Sequence, residues 1–303
     1  MSVVPVESRS YVHSAIAKAS ARTGVDFNYL LGQAQVESGL QANARAGTSS
    51  ATGLYQFVEQ SWLGVVKAHG AEHGMAWAAD SIRQGSNGRY YVADAGTRRA
   101  ILNLRSDPQA SSLMAAEHAA DNKAALENAL GRSATGTDLY MAHFLGLGGA
   151  RQFLTTMQSN PDRSAAAMFP AAARANRSIF YGAGGQPRSL AEIYDRMATK
   201  LDRGAKAGGG EGVDMGDALN GGFPVNRMQP AVLMNGFDGD VIMGNEAQGG
   251  DAAWLTTTLA NLNVVRSRSG DATTPQMQMA SLYRPTPESA RLAYSILAGL
   301  GNA

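Results

Sequence analysis

Hydrophobic and polar positions in the first two-thirds of the chain repeat with the period of an α-helix. Apolar residues recur three and four positions apart, whereas alternating runs of β-branched residues, which are typical of strands, are scarce. The pattern therefore predicts a mainly α-helical fold with short loops. The predicted helices are Arg9–Thr23, Phe27–Ser38, Glu59–His69, Thr97–Arg105, Pro108–Leu130, Asp138–Leu145, Gly149–Gln158 and Leu190–Arg203.

The helical pattern stops near Arg203, where the composition of the chain changes. The run GAKAGGGEGVDMGDALNGGFPVNRMQP that follows contains many glycines and few residues able to anchor a core, which is typical of a flexible linker. We therefore predict a helical domain over residues 1–203 and a Gly-rich, largely irregular tail over residues 204–303. Within the tail, the sequence predicts two short helices, at Ala252–Val265 and Pro287–Leu300.

The second predicted helix carries a carboxyl group on its apolar side. Asp26 is a good N-cap for this helix. Its apolar stripe, with the spacing i, i+3, i+4 and i+7, consists of Phe27, Leu30, Leu31 and Ala34. Glu37 continues this stripe, and Gly39 supplies a stop, so the carboxyl group falls in the last turn.

Burial and the negative end of the helix dipole both disfavour a charged carboxylate at Glu37. A carboxylic acid that keeps its proton near neutral pH is what a glycosidase needs to protonate a leaving oxygen. The alternative is a glutamate whose side chain turns out to solvent.

A small, polar segment follows this helix and leads into a glycine-aromatic-glutamine cluster. Residues 43–52 read NARAGTSSAT, and Gly53–Phe57 read GLYQF. Such a loop can form the wall of a cleft, in which an amide binds a sugar hydroxyl and an aromatic ring stacks on a sugar face. Taken alone, GLYQF is equally typical of a turn followed by core residues.

Together, VESGL (Val36–Leu40) and GLYQF give the chain a resemblance to the soluble-type lytic transglycosylases, which share the goose-type lysozyme fold and cleave peptidoglycan. The resemblance runs from about Ser10 to Lys200. It implies a lysozyme-like helical domain in which Glu37 is the catalytic acid. Ser38 stands beside that acid in the Glu-Ser motif. The family's Gly-Leu-Met-Gln motif corresponds to Gly53–Gln56, with tyrosine where methionine is commoner, and implies that Tyr55 and Gln56 line the sugar cleft.

Two further elements of the resemblance are weaker. The family motif Ala-Tyr-Asn-Ala-Gly corresponds to residues 142–146, AHFLG, where only the outer Ala and Gly agree. Phe144 stands in place of the substrate-binding asparagine, so His143 is the candidate for that hydrogen bond. His143 is equally well explained as a packed core residue, and Phe144 as core or cleft wall. Tyr194 matches a late tyrosine whose ring, in the family, reaches toward the catalytic glutamate.

In this family a single glutamate protonates the bond between N-acetylmuramic acid and N-acetylglucosamine. As a carboxylate it then accepts the proton of the muramyl C6 hydroxyl, which closes a 1,6-anhydro ring. The resemblance thus implies a peptidoglycan lytic transglycosylase that needs no cofactor. Two alternatives stay open: a hydrolysing muramidase, and a non-catalytic cell-wall binding or assembly module. A two-carboxylate glycosidase would need a second acid, for which Glu59 and Asp80 are the nearest in sequence.

Composition and charge limit the kinds of binding partner and chemistry that the chain can have. The chain has 26 basic and 25 acidic residues and no cysteine, which argues against nucleic-acid binding and excludes thiolate chemistry. His69, His73 and His118 lack partners at metal-ligand spacing, so we predict no metal site. We expect peptidoglycan strands as the main partner, and a protein partner for the tail.

The substrate implies a location in the periplasm or cell wall. The first residues show no signal peptide, and no apolar run is long enough to predict an integral membrane segment. Specialised export, or a place in a phage particle, would explain how a chain without a visible signal peptide reaches a cell-wall substrate.

Overall fold

Helices form most of the part of the chain that the computed structural model describes, residues 6–47 and 49–213. The predicted mainly α-helical class is confirmed. The helices are α1 (Val6–Thr23), α2 (Phe27–Ser38), α3 (Glu59–His69), α4 (Ala76–Ser81), α5 (Ala95–Asn103), α6 (Pro108–Leu130), α7 (Gly136–Ser159), α8 (Ala165–Met168), α9 (Pro170–Ala175), α10 (Arg177–Phe180) and α11 (Leu190–Gly208). The tail beyond residue 213, with its two predicted short helices, lies outside the described residues.

The ends of α2 are fixed by residues that the sequence identifies. The Asp26 carboxylate accepts a hydrogen bond from the backbone N–H of Tyr29 at 2.7 Å, which caps the first turn. At the other end, Gly39 has a φ of 61° and its N–H bonds back to the carbonyl of Gln35. As a result, Glu37 lies in the last turn of α2, as predicted.

Helix α7 contains a break at Gly146. This residue has a φ of 70° and a ψ of 159°, so two helical halves meet at a corner that a side chain would disfavour. The two helices predicted on either side of this position are therefore observed as the halves of α7. The first half begins at the Thr135–Asp138 capping box and ends beside His143.

Helix α11 extends to Gly208, five residues past the predicted end at Arg203. The glycines that suggested a linker are packing residues here. A Cβ at Gly204 would lie 2.7 Å from Cγ2 of Val36, and one at Gly208 would lie 2.9 Å from Cγ of Leu31. These glycines let α11 cross close to α2, and the prediction of a linker beginning at residue 204 is wrong for this segment.

The remaining elements are short. Two three-residue strands, β1 (Ile82–Gln84) and β2 (Tyr90–Val92), pair antiparallel with Ile82 opposite Val92. Gln60 on α3 holds this hairpin, because its amide donates to the carbonyl of Tyr90 and accepts from the N–H of Tyr90. Short 3-10 turns cover Gly70–His73 and Leu104–Ser106.

One hydrophobic core connects these helices. Helix α2 packs mainly against α11, and α1 packs against α6. The largest fully buried side chains include Trp62, Tyr29, Tyr55, Tyr140, Phe144, Phe153 and Phe180. None of the helices within residues 6–47 and 49–213 is long and apolar enough to cross a membrane.

Candidate active site

The carboxyl group of Glu37 is enclosed by side chains from a second helix. Its side chain is only 7% exposed. The hydroxyl of Tyr140 donates a hydrogen bond of 3.3 Å to Oε1 of Glu37, and Nε2 of His143 lies 3.6 Å from the same oxygen. Within the described residues, Oε2 of Glu37 makes no hydrogen bond or ion pair. One carboxyl oxygen is thus held by the protein, and the other is left for a ligand.

Burial and the nearby carboxylate change the acidity of the surrounding groups. Burial, and then the charge of Glu37, raise the pKa of Tyr140 well above its ordinary value. Burial likewise raises the pKa of Tyr29, with smaller contributions from Tyr55 and Glu37. On α11, burial lowers the pKa of Lys200, and the charge of Glu37 opposes this change. Neutral phenols and a lysine therefore set the electrostatic environment of the acid.

Ser38 connects the two sequence motifs. Its hydroxyl donates to the carbonyl oxygen of Leu54 at 2.8 Å and also lies 3.0 Å from the carbonyl oxygen of Ala34. The side chain is buried beneath the loop. In this structure Ser38 joins the GLYQF segment to the last turn of α2, and its hydroxyl is not available to a substrate.

The loop beside Glu37 contains unusual backbone conformations. Within the described residues, Leu40 (φ 62°) and Gln56 (φ 47°) are the only residues other than glycine with a positive φ. Each costs free energy of order 1–3 kcal/mol, and such strain concentrates at functional sites. Both positions belong to the motifs VESGL and GLYQF, so the strain falls on either side of the candidate site.

The amide of Gln56 is oriented by the loop itself. Its Nε2 donates to the carbonyl of Gly53 at 2.9 Å and to that of Ala44 at 3.3 Å. Because both partners are carbonyls, the nitrogen must face the loop. The half-buried side chain has no hydrogen-bond partner for Oε1 in the described part of the chain. That oxygen can accept a hydrogen bond from a sugar hydroxyl, the role predicted for Gln56.

A buried arginine anchors this loop from the opposite side. Arg105 is 9% exposed, and its guanidinium donates to the carbonyls of Ser50, Phe57 and Leu102 at 2.8–3.0 Å. Burial lowers its pKa, and the charge of Glu59 opposes this effect. The backbone of Arg105 also packs tightly on Gly53, where a Cβ would lie 1.9 Å from the Arg105 carbonyl oxygen. Sequence reasoning treated Arg105 only as the end of a helix.

Two aromatic residues predicted for the cleft lie in the core. The ring of Tyr55 is 1% exposed and Phe144 is fully buried, packed 6.2 Å from Phe180 between ring centroids. Neither ring is at a surface that a sugar reaches in this structure, which corrects the prediction that they line the cleft. Both side chains are large and aromatic, and they are buried in the hydrophobic core together with neighbours such as Leu54.

Tyr194 belongs to a different network. Its hydroxyl donates to Oδ1 of Asp138 at 3.0 Å and lies 2.9 Å from Oγ1 of Thr135. Asp138 is fully buried and also pairs with Arg132. The expectation that Tyr194 reaches Glu37 is therefore corrected, because its polar end is used at the start of α7. Tyr140 makes the contact with Glu37 instead.

Two histidines, His69 and His73, pair with carboxylates of α6. His69 pairs with Asp121, with nitrogen and oxygen 2.8 Å apart, and His73 pairs with Glu117 at 2.6 Å. The hydrogen bond to Asp121 is the main reason that the pKa of His69 is raised. In the part of the chain that the structure describes, no group of three or more His, Asp or Glu residues is arranged to hold a metal ion.

No protein-family model matches the chain. The functional interpretation therefore depends on the residues that surround Glu37. Of the predicted site residues, the structure brings His143 next to Glu37 and places Gln56 in the adjoining loop, which the hydroxyl of Ser38 at the end of α2 holds. Sequence reasoning missed Tyr140, although it lies three residues before His143 and hence on the same face of α7. It also missed Lys200, whose position depends on the crossing of α2 and α11.

Proposed function

We propose that the chain is a peptidoglycan lytic transglycosylase with a lysozyme-like helical domain and Glu37 as its single acid and base. The observation that carries this proposal is the environment of the Glu37 carboxyl. It is nearly buried, one oxygen is held by Tyr140, and the other has no partner within the described residues. A carboxyl group held at one oxygen can transfer a proton to a single ligand atom through the other oxygen and later take a proton back.

The groups around Glu37 support a reaction with a single carboxylate. The titratable side chains that interact with it in the described part of the chain are phenols, an imidazole and an ammonium group: Tyr29, Tyr140, His143 and Lys200. Glu59, one of the two acids considered from the sequence, is paired with Arg98. Glycosidases that use two carboxylates hold them about 5–9.5 Å apart. A site with a single carboxyl group fits a reaction in which the nucleophile is a hydroxyl group of the substrate itself.

The proposed reaction follows from that arrangement. Glu37 transfers its proton to the oxygen between N-acetylmuramic acid and N-acetylglucosamine, and the glycosidic bond breaks. The muramyl C6 hydroxyl then attacks C1 of the same sugar while its proton passes to the Glu37 carboxylate. A 1,6-anhydro ring forms, the acid is regenerated, and no water is consumed.

The loop segment over residues 49–57 supplies a contact for the glycan. Among the residues that the structure describes, Oε1 of Gln56 has no hydrogen-bond partner, and it lies in the loop that Ser38 holds against the Glu37 helix. An acceptor at this place suits the hydroxyl and amide N–H groups of amino sugars. We further propose that the enzyme acts in the periplasm or cell wall, and that the tail binds a protein partner.

Mass spectrometry of the fragments released from purified sacculi tests this function. We expect fragments that end in 1,6-anhydro-N-acetylmuramic acid with the wild-type chain, and none with Glu37→Gln. Reducing ends as the dominant product would instead indicate a hydrolysing muramidase. Binding to sacculi without release of fragments would indicate a non-catalytic wall-binding module.

A further inference from the structure

The end of α3 is joined to α6 by two histidine–carboxylate pairs. His69, the last residue of α3, and His73, in the 3-10 turn that follows, are four residues apart, and so are Glu117 and Asp121 on α6. Nε2 of His69 lies 2.8 Å from Oδ2 of Asp121, and Nε2 of His73 lies 2.6 Å from Oε1 of Glu117. The two histidine side chains are only 19% and 6% exposed, so the pairs lie within the joint between these elements.

His69 lies between two carboxylates. In addition to the contact of Nε2 with Asp121, Nδ1 lies 3.6 Å from Oε2 of Glu117, within ion-pair distance. A neutral imidazole carries a single N–H, so one of its nitrogens would turn a lone pair toward a carboxylate. An imidazolium offers an N–H and a positive charge to both carboxylates. The arrangement therefore favours a charged His69.

His73 holds Glu117 without a need for charge. Its Nε2 contacts Oε1 of Glu117, whereas its Nδ1 is buried and makes no hydrogen bond within the described residues. A neutral ring with its proton on Nε2 fits this position, because it leaves no buried N–H without an acceptor. His73 thus fixes one oxygen of Glu117 and leaves the other facing His69.

We propose that His69 is a pH-sensitive latch, which fastens the end of α3 to α6 while its ring is charged and lets this joint open when the ring is neutral. Once the ring loses its proton, the carboxylates of Glu72, Glu117 and Asp121 lie around an uncharged group and repel one another. The latch goes beyond the proposed function and does not depend on it, because it uses no residue of the candidate active site.

The groups around His69 support this assignment. The hydrogen bond to Asp121 is the largest cause of the raised pKa of His69; burial opposes it, and the charges of Asp121, Glu117 and Glu72 add to the increase. The neighbouring imidazole on α6 is His118, whose pKa is lowered to about 4 by burial. His118 therefore stays neutral over the pH range in which His69 titrates.

The direction of the pH effect follows from the raised pKa of His69. The folded chain binds this proton more tightly than the unfolded chain, in which the pKa is the ordinary 6.5. The latch is therefore fully closed below pH 6.5, and its stabilisation is lost as the pH rises through the folded pKa. Lys67, the nearest cation on α3 itself, donates to the carbonyl of Ala79 at 2.9 Å and is directed toward α4.

Nuclear magnetic resonance of the full chain with labelled histidine rings tests the charge on His69. The midpoint of its titration should lie above 6.5 in the wild-type chain and move down toward 6.5 in Asp121→Asn. Asp202→Asn is the matched control, because Asp202 also lies 2.8 Å from its basic partner, Lys206 on α11, and its loss should leave the His69 midpoint unchanged. A wild-type midpoint at or below 6.5, or the same midpoint in Asp121→Asn, would overturn the proposal.

Amide hydrogen exchange tests the opening of the joint. The reporters are the amides of Gly70–His73 and of Met75, whose N–H bonds to the carbonyl of Gly70 at 2.8 Å. Between about pH 6 and pH 9 their protection factors, which correct for the intrinsic effect of pH, should fall about threefold in the wild-type chain, as loss of a partly exposed ion pair produces. His69→Gln keeps an N–H donor for Asp121 but carries no charge, so its protection should be low throughout this range. Protection that is independent of pH in the wild-type chain, or an equal pH dependence in His69→Gln, would refute the latch.

Discussion

The hydroxyl of Ser38 donates a hydrogen bond of 2.8 Å to the carbonyl oxygen of Leu54, so the two sequence motifs are physically one unit. The first motif carries Glu37 in the last turn of α2, and the second carries Gln56 in the loop. The distance between acid and loop therefore depends on a buried contact that no substrate touches. This explains why a serine directly after the acid is useful even though its hydroxyl is not exposed.

Ser38→Ala should separate the loop from the acid. The carbonyl of Leu54 loses its partner in a buried place, which costs about 1–3 kcal/mol of unfolding free energy. We also expect glycan cleavage to fall, because the loop is no longer fixed beside Glu37. Denaturant unfolding and the rate of cleavage are measured together.

Ser111→Ala is the matched control for Ser38→Ala. Ser111 is fully buried as well, and its hydroxyl donates to the carbonyl of Asp107 at 2.7 Å within the first turn of α6. Its loss should lower stability without a change in cleavage. Equal losses of cleavage in both variants would mean that Ser38 matters only for stability.

Tyr140→Phe and Tyr194→Phe should have opposite effects. Tyr140→Phe removes the hydrogen bond to Glu37 and keeps the ring, so cleavage should fall about tenfold, which corresponds to about 1.4 kcal/mol, with little change in stability. Tyr194→Phe removes a hydrogen bond to the buried carboxylate of Asp138, which should cost about 1.5–3 kcal/mol of stability and leave cleavage intact. If Tyr194→Phe lost cleavage but kept its stability, Tyr194 would be shown to act in the active site, contrary to this prediction.

Shortening the chain tests whether the tail takes part in the chemistry. A chain ending at Val213 should cleave soluble glycan fragments at close to the full-length rate. A chain ending at Arg203 lacks the last turns of α11 and the buried residues Ala205 and Val213, so it should be less stable. Loss of cleavage in the longer of the two chains would mean that residues beyond 213 complete the site.

His118 should make the fold sensitive to acid. Burial lowers its pKa from 6.5 to about 4 in the folded chain, so the unfolded chain takes up this proton first as the pH falls. Above pH 6.5 the neutral His118 therefore costs the folded chain no stability. As the pH falls from 6.5 to 4, the free energy of unfolding decreases by roughly 3 kcal/mol because of this residue. Unfolding free energies of the wild-type chain and His118→Gln, compared between pH 7 and pH 4, should show a smaller decrease in the variant. Parallel curves would contradict a buried neutral His118.

Much of the fold could be predicted because helix ends leave local signals. The bounds of α2, α3 and α6 agree with the prediction, since caps and stops such as Asp26, Gly39 and Gly131 lie next to apolar stripes. The hairpin of β1 and β2 was missed because three residues are too few for an alternating pattern. The end of α11 was misplaced because glycine favours linkers and close helix crossings alike.

The candidate site could be predicted only in part. Glu37 was identifiable because an acid interrupts an apolar stripe at a helix end. Which aromatic side chain meets it could not be read from the sequence, because that depends on how α7 and α11 cross α2. Tyr194 was chosen by analogy, whereas Tyr140 makes the contact.

The central claim is that Glu37 donates the proton that breaks the glycan, and Glu37→Gln tests it most directly. Glutamine is nearly the same size and can still accept a hydrogen bond from Tyr140, so the variant should fold with unchanged stability. It cannot donate a proton near neutral pH, and general acid catalysis is worth about 10²–10⁴-fold. We expect the rate of fragment release from sacculi to fall by at least a hundredfold. A folded Glu37→Gln chain that keeps more than about a tenth of the wild-type rate would contradict the role of Glu37 as the acid.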